Sequence, residues 1–273
     1  MDNRPIGIFD SGLGGLTAVM ALRRLMPEEN IVYFADSARV PYGEKSREAL
    51  LVMARQDLDL LAAYGAKAII AACGTVSSNA AQLLESYPLP VCGVLKPAIA
   101  AMSRVPGSSP LGIIATEASI RSGSFRRALA EQVPDRMILD LACPDFVPLI
   151  EAGHIDREDP ALRRAVADTL APAKGAGLGA LLLGCTHYGI ISGAIRDYLG
   201  AELRLVSAAD CAAETTCRKL RALGLTGGSG EIRYYTSGDA AAFSAAASAL
   251  LGQEIQAEHI PAMEILDKEE HTQ

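Results

Sequence analysis

Short apolar runs alternate along the chain with longer segments whose apolar residues recur at helical spacing. The apolar runs predict strands at residues 6–9, 31–35, 68–72, 91–94, 111–115, 137–141, 180–184 and 203–206. Helical spacing predicts helices at residues 16–26, 117–130, 145–152, 161–172, 190–198 and 208–222, and a further helix between Ser46 and Gly65. The tail from residue 233 to 258 again predicts strand, helix and strand. Alternation of this kind is typical of parallel sheets that carry helices on both faces.

Two of the predicted strands end in similar ways. Each closes an apolar run with a cysteine, Cys73 or Cys185, and a threonine follows within two residues, at Thr75 or Thr186. Because parallel α/β folds bind ligands at the carboxyl ends of their strands, we expect the two cysteines in like positions of two like halves. Two thiols that face each other across a cleft can remove a proton from one side of a carbon and return one to the other side.

The repeated halves predict an α/β fold of two pseudo-symmetric parallel-sheet domains, with the active site in the cleft between them. We place the first domain at residues 1–96 and 208–273, and the second at residues 97–207. The first boundary falls where a predicted strand gives way to Lys96-Pro97. The strand–helix–strand tail then most simply returns to the first domain.

Composition and charge exclude several classes of function. The chain has 273 residues, of which 50% are hydrophobic and 21% charged, as is ordinary for a globular protein with an ample core. A net charge of −7 and the lack of a lysine or arginine run argue against nucleic-acid and membrane-surface partners. The first residues lack a signal peptide's apolar run, and no stretch of about 18 apolar residues predicts a transmembrane helix. We expect a cytoplasmic protein with no nucleic acid and no membrane as partner.

The six cysteines are expected to be free thiols, because a chain with this core and no export signal has little need of disulfides. No Cys-x-x-Cys pattern occurs, so we expect no structural zinc site and no other metal.

A glycine-rich turn, Asp10-Ser11-Gly12-Leu13-Gly14-Gly15, follows the first predicted strand. Such a turn is either a tight strand-to-helix connection or a place where backbone N–H groups approach an anion. A dinucleotide fingerprint is disfavoured, because Thr17 stands where its third glycine belongs. Asp10 and Ser11 are better suited to a ligand's ammonium group and its carboxylate.

The second predicted strand is followed by Asp36 and then by Pro41-Tyr42-Gly43. This segment is either an ordinary proline–glycine turn or a loop whose tyrosine and backbone N–H groups line a pocket. Both interpretations stay open at this point.

A lone cysteine after an apolar run is usually a small buried hydrophobic residue. The similarity of the Cys73 and Cys185 segments favours chemistry for these two, and a helix N-terminus at each would favour the thiolate. His187 lies two residues after Cys185 and either exchanges its proton or has a structural part only. Glu151 orients that histidine if the two fold together, and is otherwise an exposed helix-end glutamate.

Several separate motifs of this chain resemble those of glutamate racemase, in the cofactor-independent aspartate/glutamate racemase family. They are the Asp10–Gly15 turn, Asp36 with Pro41-Tyr42-Gly43, Cys143-Pro-x-Phe-Val-Pro-Leu-Ile-Glu151-x-Gly153, Cys185-Thr186-His187-Tyr188, and Tyr235-Thr236-Ser237-Gly238-Asp239 with Phe243. The motifs occur in the family's order and cover nearly the whole chain. The resemblance implies two α/β domains, an active site between them and a two-base reaction that uses no cofactor.

The resemblance also implies roles for single residues. Cys73 would act on D-glutamate with the help of Asp10, and Cys185 would act on L-glutamate with the help of His187 and Glu151. The implied substrate-binding residues are Asp10, Ser11, Pro41, Tyr42, Gly43, Gly74, Thr75, Ser119, Thr186 and His187. Thr116 resembles part of the same substrate-contacting stretch as Ser119.

At one position the chain departs from the family pattern in a way that bears on binding. The family has an asparagine after the first cysteine, and its amide contacts the substrate's amino group, whereas this chain has Gly74. A lost hydrogen bond to a charged group costs about 1.5–3 kcal/mol. We therefore expect that Gly74→Asn improves glutamate turnover.

The function that follows is racemisation of L- and D-glutamate, which supplies D-glutamate for peptidoglycan. Two alternatives stay open: a racemase for another acidic amino acid such as aspartate, and a weakly active relative that acts by protein binding, for example as a gyrase inhibitor. Glutamate is the expected small-molecule partner, and a homodimer is left open.

Overall fold

The computed structural model describes residues 2–261, and all strand pairs in that range are parallel. The strands are β1 (Ile6–Asp10), β2 (Ile31–Ala35), β3 (Ala68–Ala71), β4 (Val91–Gly93), β5 (Leu111–Ala115), β6 (Ile138–Ala142), β7 (Ala180–Leu183), β8 (Arg204–Ser207), β9 (Ile232–Thr236) and β10 (Ala257–His259). One sheet has the order β10-β9-β2-β1-β3-β4, and a second has the order β6-β5-β7-β8. The predicted fold class, two parallel-sheet α/β domains, is confirmed.

Helices connect successive strands on both faces of the sheets. They are α1 (Leu16–Leu25), α2 (Arg47–Ala63), α3 (Gly74–Asn79), α4 (Ala81–Ser86), α5 (Leu95–Ser103), α6 (Glu117–Ser122), α7 (Ser124–Gln132), α8 (Phe146–Glu151), α9 (Pro160–Leu170), α10 (Ser192–Leu199), α11 (Ala208–Leu223) and α12 (Ala240–Leu251). Ser46 caps α2, as expected, because its hydroxyl accepts a hydrogen bond from the Ala49 N–H. None of the helices within residues 2–261 has the length and apolar character that crossing a membrane requires.

The prediction of one continuous helix over residues 117–130 is wrong. Gly123 has a φ of 64°, in the left-handed region, and it separates α6 from α7. Glycine adopts this conformation without the steric cost that a side chain imposes. Helical spacing of apolar residues does not reveal such a break, because both helices present apolar residues to the same core.

The central strands read as continuous apolar runs because both of their faces are covered. Every residue of β1, β2, β3, β5 and β7 is buried. One buried hydrophobic cluster includes Ile8 of the first sheet, Ile113 and Leu182 of the second, and Ala212 of α11. The two sheets therefore share packed side chains, which fixes how the strand ends of one face those of the other.

Strands β9 and β10 of the tail extend the six-stranded sheet beyond β2, with Tyr33 in register with Tyr234. Helix α5 begins at Leu95, so the predicted boundary at residues 96–97 falls within its first turn. Residues 262–273 of the predicted first domain lie outside the described residues. The domain boundaries stay a prediction.

Candidate active site

The carboxyl ends of six strands converge on one pocket. Its walls come from segments that follow β1, β2 and β3 in the six-stranded sheet, and β5, β6 and β7 in the four-stranded sheet. The pocket encloses about 590 Å³ of empty space, counting its opening to solvent. The lining residues are Asp10, Ser11, Pro41, Tyr42, Gly43, Glu44, Cys73, Thr75, Thr116, Glu117, Cys143, Pro144, Val147, Pro148, Cys185, Thr186 and His187. Parallel α/β folds bind ligands at this edge of the sheet.

Cys73 and Cys185 both line the pocket, one from each sheet. Cys73 follows β3 and precedes α3, and Cys185 follows β7 and precedes a 3₁₀ turn at Thr186–Gly189. Only 5% of Cys73 and 6% of Cys185 is exposed to solvent. The structure therefore brings the two buried thiols into one pocket from opposite halves of the chain.

The environment of Cys73 favours its neutral form. Burial raises the pKa of the Cys73 thiol well above its usual value, and the nearby Asp10 carboxylate raises it further. The backbone N–H groups of Val76 and Thr75 act in the opposite direction, with a smaller effect. Cys73 therefore keeps its proton at neutral pH and is ready to act as an acid.

Cys185 is connected to a chain of two titratable side chains. Its sulfur lies 3.7 Å from Nδ1 of His187, and Nε2 of that histidine lies 2.6 Å from Oε1 of Glu151. Burial disfavours the imidazolium, but the hydrogen bonds to Cys185 and Glu151 raise the pKa of His187 well above its usual value. A charged His187 donates from both ring nitrogens, to the sulfur on one side and to the carboxylate on the other.

Glu151 is the anionic end of this chain. Burial by itself would raise its pKa, but the hydrogen bond and positive charge of His187 hold the pKa of Glu151 below its usual value. The Leu13 N–H donates to the same Oε1 at 2.9 Å and acts in the same direction. The contact between Glu151 and His187 that sequence analysis left open is present.

The glycine-rich turn after β1 brings a backbone N–H group to an anion, and that anion is a side chain of the protein. Its N–H at Leu13 points to a carboxylate of the other half of the protein, Glu151, and the Gly14 nitrogen lies 3.3 Å from Nε2 of His187. A Cβ at Gly12 would overlap Oε1 of Glu151, and a Cβ at Gly14 would overlap the ring of His187. These glycines therefore let the histidine–glutamate pair pack directly against the first sheet.

Asp10 is a buried carboxyl group with an unused acceptor. Its Oδ2 accepts a hydrogen bond from the Thr186 hydroxyl at 3.3 Å, whereas its Oδ1 is buried without a hydrogen-bond partner among the described residues. Burial raises the pKa of Asp10, and the positive charge of His187 partly offsets this. The backbone N–H groups of Ser11 and Gly15 act in the same direction as His187, and Asp10 itself is one of the residues that line the pocket.

The structure divides the other predicted substrate-binding residues into two groups. Those that line the pocket are Ser11, Pro41, Tyr42, Gly43, Thr75 and Thr186, although the Tyr42 hydroxyl points away from it and donates to Asp36. Ser119 is only 1% exposed and does not line the pocket. Its hydroxyl accepts hydrogen bonds from Ser78 at 3.1 Å and from Thr116 at 3.0 Å.

Gly74 also lies outside the pocket lining, because the segment containing Cys185 covers it. A Cβ at position 74 would overlap the carbonyl oxygen of Gly184 and would lie 3.2 Å from its carbonyl carbon. Backbone atoms cannot move aside as a flexible side chain can. The expectation that Gly74→Asn improves turnover is therefore reversed: glycine at this position lets the two cysteine segments touch.

Sequence reasoning missed several lining residues. They are Glu44, Glu117, Cys143, Pro144, Val147 and Pro148. Glu117 and Cys143 lie just past the ends of β5 and β6, so the strand-end rule that found Cys73 and Cys185 would have found them too. In residues 2–261 no group of three or more histidine, cysteine, aspartate or glutamate side chains is arranged to hold a metal ion.

Comparison with known proteins gives a consistent result. The Asp/Glu/hydantoin racemase family matches residues 17–216. A glutamate racemase from a Picosynechococcus species is 38% identical over 259 residues, which are 94% of this chain and 91% of that protein.

Two solved structures share the fold over almost their full length. A glutamate racemase isoform from Bacillus anthracis superposes with a TM-score of 0.89 at 29% identity, covering 96% of this chain and 99% of the other. A glutamate racemase from Francisella tularensis in complex with D-glutamate superposes with a TM-score of 0.86 at 32% identity, covering 95% and 98%.

Proposed function

The chain belongs to the Asp/Glu/hydantoin racemase family, and we propose that it interconverts L- and D-glutamate with Cys73 and Cys185 as its two acid–base groups. The observation that carries this proposal is one buried pocket that contains a thiol from each sheet. The surroundings of the two thiols differ, because Cys73 lies near a carboxylate and Cys185 lies beside an imidazolium. Cys73 is thereby favoured as an acid, whereas Cys185 has an imidazole beside it with which a proton can be exchanged.

The reaction from L- to D-glutamate needs Cys185 in its thiolate form, with Nδ1 of His187 at 3.7 Å. Its sulfur takes the α-proton from one face of the substrate, and the Cys73 thiol gives its own proton to the opposite face. The protein then holds a thiol at Cys185 and a thiolate at Cys73, which is the form that acts on D-glutamate. The reverse reaction, or exchange of protons with water, restores the first form.

The difficulty of the reaction is the weak acidity of the α-carbon. Fixed donors in a pocket that excludes water can stabilise the carbanion, and thiols held in contact with the carbon make each proton transfer nearly unimolecular. The Asp10 carboxyl group lines the pocket and is the proposed acceptor for the substrate ammonium, and its charge acts on Cys73 as well as on His187. Glu151 keeps His187 charged and oriented.

The carboxylates of the substrate have hydroxyl and backbone N–H donors to bind. Ser11 and Thr75 supply hydroxyls, and the segment from Pro41 to Gly43 supplies backbone. Thr186 supplies a further hydroxyl when it exchanges its hydrogen bond to Asp10 for one to the substrate. Among the pocket-lining residues that the structure describes there is no lysine or arginine. Neutral donors therefore bind the carboxylates, and His187 is the cationic side chain among the described lining residues.

We further propose that the product, D-glutamate, serves peptidoglycan synthesis in the cytoplasm, and that the protein acts without a nucleic-acid partner. Assembly as a homodimer stays a prediction.

Circular dichroism of the amino acid itself tests the proposal. The purified protein, without added cofactor, is mixed with L-glutamate and separately with D-glutamate, and the ellipticity of each solution should decay to zero. Decay with aspartate but not with glutamate would assign another acidic substrate. If the ellipticity decays with neither glutamate nor aspartate, the result would favour a protein that acts by binding.

A further inference from the structure

A buried polar cluster lies beneath the loop that forms one wall of the pocket. It consists of Asp36, Arg39, Gln56 and Asp57, and we refer to it as the Arg39 cluster. The Arg39 guanidinium donates from Nε to Oδ2 of Asp36 at 2.5 Å, from Nη1 to Oε1 of Gln56 at 2.5 Å and from Nη2 to Oδ1 of Asp57 at 3.1 Å. Asp36 and Asp57 are completely buried, whereas 20% of the Arg39 side chain remains exposed.

These contacts join three parts of the first sheet's framework. Asp36 follows β2 directly, Gln56 and Asp57 belong to α2, and Arg39 lies in the segment that leads to the pocket wall. The planar guanidinium donates in three fixed directions to three partners, so it sets both the position and the orientation of that segment. An ammonium group, which acts as a point charge, cannot set the orientation.

The cluster extends to the pocket through Tyr42. The phenol of Tyr42 donates to Oδ2 of Asp36 and lies 3.2 Å from Oδ2 of Asp57, while the residue also lines the pocket. Next in the chain, Gly43 faces Thr116 of the other half, with a Cβ at position 43 placed 3.5 Å from the Thr116 Cβ. The shape of this wall therefore depends on where the cluster holds Tyr42.

The charges in the cluster favour a stable arrangement. Burial, and then the charge of Asp36, raise the pKa of Asp57 well above its usual value. Burial opposes the charge of Arg39, but Asp57 and Asp36 raise its pKa. The Arg39 guanidinium pairs with both buried carboxyl groups, so neither lacks a cationic partner.

We propose that Arg39 is a positioning residue for substrate binding: it holds the segment from Pro41 to Glu44 as a preformed wall of the pocket by tying it to β2 and α2. The inference rests on the proposed racemase function. Arg39 does not line the pocket, so it acts through Tyr42 and the adjacent backbone rather than by touching glutamate. Without it, part of the binding energy of the substrate is spent on ordering this wall.

Steady-state kinetics of Arg39→Ala test the proposal. We expect KM for glutamate to rise roughly tenfold, since hydrogen bonds to charged groups are lost, while kcat changes much less. Arg39→Lys keeps the positive charge but cannot bond to all three partners at once. Its KM should lie between that of the wild-type protein and that of Arg39→Ala. Arg55→Ala is the matched control. Arg55 lies in α2, the helix that contains Gln56 and Asp57, but it forms an ion pair with Asp59 at 2.7 Å on the exposed side of that helix.

Chemical rescue separates positioning from a loss of stability alone. Guanidinium chloride, far below the concentrations that unfold proteins, should lower KM of Arg39→Ala towards the wild-type value, because the exposed part of the site admits the ion. Sodium chloride at the same concentration should not.

A folded Arg39→Ala protein with wild-type KM would overturn the proposal. If that variant does not fold, Gln56→Met is measured instead, because it removes only one of the three hydrogen-bond partners of Arg39. An unchanged KM in Gln56→Met would also overturn the proposal. Absence of glutamate turnover by the wild-type protein would instead reject the proposed function, and this inference with it.

Discussion

Oε1 of Glu151 lies 2.6 Å from Nε2 of His187, and the same oxygen accepts a hydrogen bond from the backbone N–H of Leu13, in the opposite half of the protein. Two elements of the second sheet's half and one of the first therefore meet at a single oxygen atom. The charge state of His187 depends on this meeting point.

Glu151→Gln should lower kcat/KM for glutamate by roughly ten- to a hundredfold, because His187 loses its charged partner. The decrease should be equal for L- and D-glutamate, since the equilibrium between enantiomers cannot change. The pKa of His187 is raised in the folded protein, so its charge is lost only when the pH rises through that raised value. Glu151→Gln should therefore move the alkaline limb of the pH–rate profile to lower pH.

Glu158→Gln provides the control for that measurement, because Glu158 is an exposed residue that pairs with Arg163 on the surface. An unshifted alkaline limb in Glu151→Gln would contradict the proposed part of this pair in keeping His187 charged.

Cys73→Ser and Cys185→Ser should each lower racemase activity by at least about a hundredfold, because a serine hydroxyl is a far weaker acid–base group in this role. The near-isosteric change should leave the far-ultraviolet circular dichroism spectrum intact. Cys211→Ser, on α11 and away from the pocket lining, should keep full activity. Wild-type rates in either of the first two variants would remove the two-thiol mechanism.

The rule that ligands bind at the ends of parallel strands was enough to predict that Cys73 and Cys185 share one pocket. It also explains why Asp10 and the segment from Pro41 to Gly43 lie there. The rule could not show that Ser119 lies outside the pocket lining. The Ser119 hydroxyl accepts a hydrogen bond from Ser78, which is 41 positions away in the chain.

Contacts between distant segments also explain the other differences. In the sequence, Gly74 differs from the family pattern only by lacking an asparagine side chain. The structure adds that a Cβ at this position would overlap the carbonyl oxygen of Gly184. The Arg39 cluster is likewise invisible in the sequence, since its partners Gln56 and Asp57 look like ordinary polar positions of an amphipathic helix. Local patterns predict elements and strand ends, but not which side chains meet across them.

Gly74→Asn should lower glutamate turnover by about tenfold or more, because the new Cβ overlaps the Gly184 carbonyl and forces the two cysteine segments apart. The proton-transfer geometry depends on their separation, so kcat should fall as well as affinity. Gly65→Asn is a suitable control, since Gly65 has a φ of 78°, which asparagine tolerates, and open space around it. Improved turnover in Gly74→Asn would show that the halves can separate at little cost.

Alkylation by iodoacetamide should reveal the raised pKa of Cys73. The thiolate is the reactive form, so a buried thiol near the Asp10 carboxylate should react slowly at neutral pH. Its rate should continue to rise above about pH 8.5, where the reaction of an ordinary thiol levels off. Mass spectrometry of the peptide that contains Cys73 measures this rate against pH, and D-glutamate should slow it by filling the pocket. A rate that levels off at or below the pH of a model thiol would mean that Cys73 is not held in its neutral form, and the assignment of Cys73 as the resting acid would be wrong.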